Sequence, residues 1–144
     1  MARRVERIAD AHRLDALWPS LYELFDRCCR EAMHGEMTAE DIRSLAKAGK
    51  AHIIVCFNDE GYVAMAFALE FVQFPRMLVA NIFAIAGTDM LGFADYGWEK
   101  VRNWLELSGA KAIDAWVAPG MARMLSRKLG FTEVYQHMRL PLGD

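Results

Sequence analysis

No stretch of this 144-residue chain approaches the length of a membrane span, and its first ten residues, MARRVERIAD, hold no apolar run of the signal-peptide kind. A soluble protein without a membrane partner is expected. Neither sign of charge is in surplus: seventeen Lys and Arg against nineteen Asp and Glu leave a formal charge of −2. No overall field therefore draws the chain to nucleic acid or an anionic bilayer, and any anion site must be local. Cysteine is scarce. Cys28, Cys29 and Cys56 are odd in number with two adjacent, which argues against a secreted disulfide framework and for a reducing cytoplasm. No CxxC or HxxxH spacing joins them to His12, His34, His52 or His137, so no metal site is expected. Internal repeats, low-complexity segments and linkers are missing too, and the length suits one domain over residues 1–144.

What is present is strong periodicity. Val5 to Ala9 allows a short first strand. From Leu14 the apolar residues Leu17, Trp18, Leu21, Leu24, Phe25, Cys28 and Ala32 fall at the three-and-four spacing of one helical stripe, with Pro19 expected in its first turn. Thr38 followed by Glu40 and Asp41 reads as an N-cap with acids in the first turn of a second, short helix that stops at Gly49. AHIIVCFN, then Asp59-Glu60-Gly61, then YVAMAFALEFV predict a β-hairpin, and MLVANIFAIA after Phe74-Pro75-Arg76 adds a third strand of an antiparallel meander. A loop from Gly87 to Ala94 precedes one long helix with Phe93, Gly97, Val101, Trp104, Leu105 and Ser108 on a face, closed by Ser108-Gly109-Ala110. KAIDAWVA (111–118) predicts another strand, MARMLSRKLG a helix stopped by Gly130, and EVYQHMRLPL a last strand. The fold class is α/β (α+β), a mixed, mostly antiparallel central sheet with helices on both faces.

This order, the strand and helix ending in Ser108-Gly109-Ala110, the strand with Ala115-Trp116-Val117 and the A-x-x-L-x-x-x-x-G-F run from Ala122 to Phe131 together resemble the GNAT superfamily of acetyl-CoA-dependent N-acetyltransferases over nearly the whole chain. The resemblance implies acetyl-CoA as cofactor. In that family a Q/R-x-x-G-x-G/A loop holds the coenzyme's diphosphate on backbone N–H groups at a helix start, where the positive helix end also favours an anion. Asp89-Met90-Leu91-Gly92-Phe93-Ala94 falls on the motif. The resemblance thus assigns cofactor binding to Ala84, Ile85 and Ala86 on the strand and to Met90, Leu91, Gly92, Phe93 and Ala94 on the loop. Gly92 and Ala94 match the family. Asp89 departs from it, with a carboxylate where the family has an amide or a guanidinium, and Asp95 adds a second one. Acids at a helix N-terminus are also ordinary caps.

The family's asparagine and catalytic tyrosine positions read Pro119 and Ser126, and its strand glutamate falls near Leu78. Ser126 is therefore the residue at the general-acid position, and Glu70, on the preceding strand, is the candidate base; it equally fits the solvent face of an alternating strand. Asn81, the only polar side chain in the middle of its strand, either binds substrate or a water or satisfies itself at a sheet edge. His52, at the start of a strand, and Tyr135, in the last strand, are lesser candidates for the acceptor pocket. Two functions stand: an N-acetyltransferase acting on a small-molecule or protein amine, and a catalytically degenerate GNAT-fold binding or assembly protein, such as occurs among phage structural genes. The 54% hydrophobic content adds a homodimer through an apolar patch as an expectation.

Overall fold

The computed structural model describes residues 3–143. The elements run β1 (Arg4–Arg7), α1 (Ala11–Ala32), α2 (Ala39–Lys47), β2 (His52–Phe57), β3 (Val63–Gln73), β4 (Leu78–Gly87), α3 (Met90–Tyr96), α4 (Trp98–Leu107), β5 (Ala112–Ala115) and α5 (Pro119–Leu129). The five strands lie in sequence order in one sheet. β1 to β4 pair antiparallel, and β5 joins β4 in parallel after the α3–α4 crossover. The sheet is thus mixed and mostly antiparallel, as the sequence predicts.

Two apolar layers hold it. On one face α1 and α2 bring Leu14, Trp18, Leu21, Phe25 and Ile42 against Ile53, Val55, Ala66, Ala68 and Phe83. On the other, Phe93, Trp98, Val101 and Leu105 of α3 and α4 cover Ile54, Phe67, Leu69 and Ile82. Fully burying each of the large side chains contributes about 1.5–3 kcal/mol, so the stripes, rather than local propensity, settle the helices. Pro19 shows this. It lies inside α1, not in the first turn, because the helix starts earlier than predicted, at Asp10, whose side chain accepts the N–H of Arg13. The missing N–H of Pro19 and its ring destabilise the interior of a helix, yet Leu14 and Trp18 before it and Leu21, Phe25 and Cys28 after it are all buried, and the helix continues to Ala32. α2 begins with the expected cap, here a capping box in which Thr38 and Asp41 each take the other's backbone N–H.

Three expectations need correction. The long helix after the loop is two helices broken at Gly97, where a Cβ would stand 2.7 Å from Phe93 Cδ1 and 3.0 Å from Val5 Cγ2. Glycine there lets the helix lie close on β1, and glycine is also a poor helix former. β5 is only four residues because it leaves β4 after Ala115. EVYQHMRLPL forms no strand: it follows the left-handed Gly130 (φ 81°), and among the described residues no backbone group pairs with its backbone.

Candidate functional site

β4 and β5 pair only from Val79↔Ala112 to Ile82↔Ala115, with a last bond from Trp116 N–H to the Ile82 carbonyl at 3.0 Å. Beyond that point they part. β4 is bulged just there, since Ala68 faces Ala84 while Leu69 faces Ile82, which leaves Phe83 as the extra residue on β4. A bulge adds twist and bends the strand that carries it, so the end of β4 swings off β5 while keeping its ladder to β3. A cleft of about 580 Å³ opens between the parted strands and the C-terminal half of α1, lined by Ile85, Ala86, Gly87 and Thr88, by Trp116, Val117, Ala118 and Met121, and by Arg27, Cys28, Glu31 and Ala32. One wall is thus strand backbone without ladder partners on the β5 side, which suits an extended chain with amide groups of its own.

The floor of the cleft carries Cys28. Burial pushes the pKa of its thiol up, opposed in part by the nearby Ile85 backbone N–H. It is a packing residue rather than a nucleophile at neutral pH. Cys56 (pKa pushed up to about 12) and Cys29 (about 11) are likewise held neutral by burial. Among the described residues no cluster of His, Cys, Asp or Glu has the makings of a metal site.

At the outer end of β4 the chain turns at Gly87, whose φ of +149° and closeness to the Ala64 carbonyl leave no room for a side chain. Thr88 N–H is bonded to Ala64 O at 2.9 Å, and Asp89 caps α3, its Oδ1 accepting the Gly92 N–H at 3.0 Å. The space beside Gly92 that a Cβ would fill is taken by the Asp89 carboxylate, with Cγ at 2.6 Å from that position. The first turn of α3 therefore holds an anion of its own. Its donors fit an anionic group such as a diphosphate in kind, and Asp89 competes with any such group for the Gly92 N–H. Phe93 plays no part in the cradle. It is fully buried, 4.7 Å from Phe67 and 6.1 Å from Trp98 between ring centroids, and it anchors α3 to the sheet.

One polar row crosses the sheet where the strands part. Glu70 on β3 faces Asn81 on β4, and Asn81 faces Asp114 on β5, one residue short of the last β4–β5 pair. Residues in register share a face, and the alternation Ala66, Ala68, Glu70 puts this row on the α1–α2 face. Glu70 and Asp114 are half-buried. Asn81 is 3% exposed, the single buried polar residue among those described, and its Oδ1 has no hydrogen-bond partner. An orphaned acceptor between two carboxylates is a ready site for a cationic donor.

The structure brings together Glu70 and Asn81, and places Ile85 and Ala86 in the cleft wall. Ala84 is buried beside them, and Met90 to Ala94 form the α3 turn. It does not bring in Ser126, exposed on α5, or Tyr135, 86% exposed on the terminal segment. His52 sits on the α4 side, 5.2 Å from the Phe71 ring and 6.1 Å from Trp104, its pKa lowered by burial and then by Arg7. Sequence reasoning missed Asp114, Trp116 and the α1 residues Arg27, Cys28 and Glu31. Cys28 was visible as a member of the α1 stripe, but only the β4–β5 register identifies Asp114.

No protein-family model matches the chain, and no curated protein matches it in sequence. Solved structures do. A probable acetyltransferase is similar with a TM-score of 0.71 at 14% identity, over 98% of this chain and 99% of that one. A ribosomal-protein-alanine N-acetyltransferase from Brucella melitensis biovar Abortus 2308 gives a TM-score of 0.70 at 11% identity, over 98% and 100%. An aminoglycoside acetyltransferase from an uncultured soil metagenomic sample, in complex with sisomicin, gives 0.67 at 12% identity, over 98% and 97%. The matches span essentially the whole of each chain. The chain thus has the fold of these acetyltransferase structures.

Proposed function

We propose that the protein is an N-acetyltransferase that moves an acetyl group from acetyl-CoA to a primary amine, with a weakened hold on the coenzyme's diphosphate. The observation that carries this reading is the row Glu70–Asn81–Asp114 beside the point where β4 and β5 part. Bound acetyl-CoA would supply an activated acyl thioester. Ile85, Ala86 and Gly87 with Trp116 to Ala118 would flank its extended arm, and the first-turn N–H groups of α3, those of Met90, Leu91 and Gly92, would face its diphosphate.

The chain's own residues then act on the acceptor. Glu70 and Asp114 attract an ammonium group to the sheet face, and Asn81 Oδ1 accepts one of its N–H bonds and orients it. An amine attacks only as the free base, so Glu70 takes up the proton that the ammonium sheds; as the amide bond forms the acyl–sulfur bond would break, and the coenzyme would leave as its thiol with the amine's second proton. Leu21, Phe25 and Phe83 belong to the apolar layer on the same sheet face, and a less polar surrounding strengthens polar contacts beside it. The solvent-exposed Ser126 is given no role.

A second reading, a binding or assembly protein without transfer activity, is favoured by Asp89 seated on Gly92 and by serine in place of the family's tyrosine. Mass spectrometry of a panel of primary amines incubated with protein and acetyl-CoA decides between them. Acetylated product that falls at least tenfold with Glu70→Gln supports the transferase. No product with any amine, or product indifferent to Glu70→Gln, overturns it.

A further inference from the structure

Three polar side chains stand in register across the sheet without a counter-charge. Leu69, Phe71, Ala80, Ile82, Ile113 and Ala115 all pack into the α3–α4 layer. Alternation along each strand therefore turns the residues between them, Glu70, Asn81 and Asp114, to the opposite face together. Among the described residues neither carboxylate of this row joins an ion pair, although Glu6 has Arg13, Asp15 has Arg43 and Lys47, and Glu36 has Arg139. Asn81, between them, is 3% exposed, and its Oδ1 takes no hydrogen bond.

The charge of the row decides what fits it. Two half-buried carboxylates bring two negative charges to one sheet face, and burying charge without a counter-charge is costly. A single ammonium group leaves one of them unanswered. One metal ion answers both only where their oxygens close to within about 5 Å of each other. Glu70 and Asp114 stand two strand spacings apart, about 10 Å between Cα atoms, so a ligand with two separate cationic ends suits them better. In an extended α,ω-diamine of about four or five carbons the nitrogens lie roughly 6–8 Å apart by ordinary bond lengths. Each end then meets one carboxylate while the methylenes cross Asn81. The neighbouring wall suits those methylenes. Trp116, two residues beyond Asp114, lines the cleft together with Cys28 and Ala32 of α1 and is 60% exposed. An open aromatic ring covers methylene groups and attracts a cation to its face.

We propose that the row is a pocket for a linear α,ω-diamine, with Asp114 as the residue that selects it. This rests on the reading of the site as an amine-acetylating one, and it makes the diamine the acceptor. The nitrogen beside Glu70 and Asn81 gives one proton to Glu70 and attacks. Its new bond to the acyl carbon replaces the acyl–sulfur bond, and the thiol of the coenzyme departs with the second proton. The far nitrogen stays an ammonium ion on Asp114 throughout. Acetylation removes the charge of the reacting end, so the product answers only one carboxylate, is held less tightly than the substrate, and leaves as the monoacetyl diamine.

Calorimetry without acetyl-CoA reads the pocket apart from the chemistry. 1,5-Diaminopentane binds the wild type one-to-one, butylamine binds about tenfold more weakly, and Asp114→Asn, with unchanged circular dichroism, removes the difference. Kinetics with acetyl-CoA reads the selection. As the diamine is lengthened, kcat/KM peaks at 1,4-diaminobutane or 1,5-diaminopentane, about tenfold above butylamine, and Asp114→Asn brings that ratio to about one, chiefly through KM. Equal binding of butylamine and 1,5-diaminopentane, or a preference that survives Asp114→Asn, overturns the proposal even where both amines are acetylated and the transferase reading stands. Binding that prefers the diamine and depends on Asp114, with no amine acetylated, supports the pocket and overturns the transferase reading instead.

Discussion

Replacing Asn81 by valine separates a site residue from a structural one. Asn81 is almost completely buried, and its Oδ1 has no partner. An unsatisfied buried polar atom costs about 1–3 kcal/mol, and a β-branched side chain of similar volume suits the middle of a strand. Valine should therefore raise the unfolding free energy by roughly 1–3 kcal/mol. For a domain of about this size that lifts the melting temperature by roughly 2–4 °C per kcal/mol, to be read by urea and thermal unfolding. The same change should raise the KM for the amine at least tenfold, since it removes the acceptor that orients the ammonium. Stability gained and acceptor binding lost is the signature of a residue kept for function at a cost to the fold. A less stable Asn81→Val protein would refute the reasoning, because Oδ1 would then have a partner worth keeping. A more stable one with unaltered amine kinetics would remove Asn81 from the site.

Other changes test the frame around it. Gly97→Ala should destabilise by about 1–3 kcal/mol through overpacking against Phe93 and Val5, outweighing the gain in helix propensity of about 1 kcal/mol; a rise in urea midpoint would show that α3 and α4 can move apart freely. Gly87→Ala forces a positive φ on alanine and drives its Cβ into the Ala64 carbonyl, so loss of folded protein is expected on a denaturation gel, and an unaffected chain would misplace the turn. The Glu36 carboxyl is lowered to about 2, first by the His34 N–H and then by Arg139. A depressed carboxylate stabilises above its unfolded value of 4.5 and loses that contribution as the pH falls toward 2. Acidification through this window should therefore release the terminal segment, measured as faster proteolysis after Phe131, and Glu36→Gln should make that rate independent of pH; a persistent pH effect in the variant would point to another group.

The meander was legible because β2, β3 and β4 are rich in branched and aromatic residues, and α1 because its stripe repeats over five turns. Pro19 misled, since a local rule about helix starts gave way to burial of Trp18 and Leu21 on either side of it. Gly97 hid a break because helical spacing continues through it, and only contact with Phe93 and Val5 reveals why glycine stands there. The terminal segment was read as a strand from its composition and forms none, because a strand also needs a neighbour to pair with. Glu70 and Asn81 emerged separately as lone polar residues in apolar runs. That they face each other, with Asp114 completing the row, depends on register and on the bulge at Phe83, which long-range pairing decides. Asp89 was legible as a departure from a motif, and its hydrogen bond to Gly92 gives that departure a physical form.

The central claim, that the cleft takes acetyl-CoA with Asp89 opposing its diphosphate, is tested most directly by calorimetric titration of acetyl-CoA into the wild-type chain and Asp89→Asn side by side. Asparagine caps a helix about as well as aspartate, so the fold of α3 is kept while one negative charge is removed. Two unit charges some 4 Å apart interact by about 1 kcal/mol even in water, and 1.4 kcal/mol is a tenfold change in affinity. The account predicts weak, saturable one-to-one binding by the wild type and binding roughly tenfold tighter by Asp89→Asn. Absence of binding by both proteins at millimolar acetyl-CoA, or weaker binding by Asp89→Asn, would contradict it.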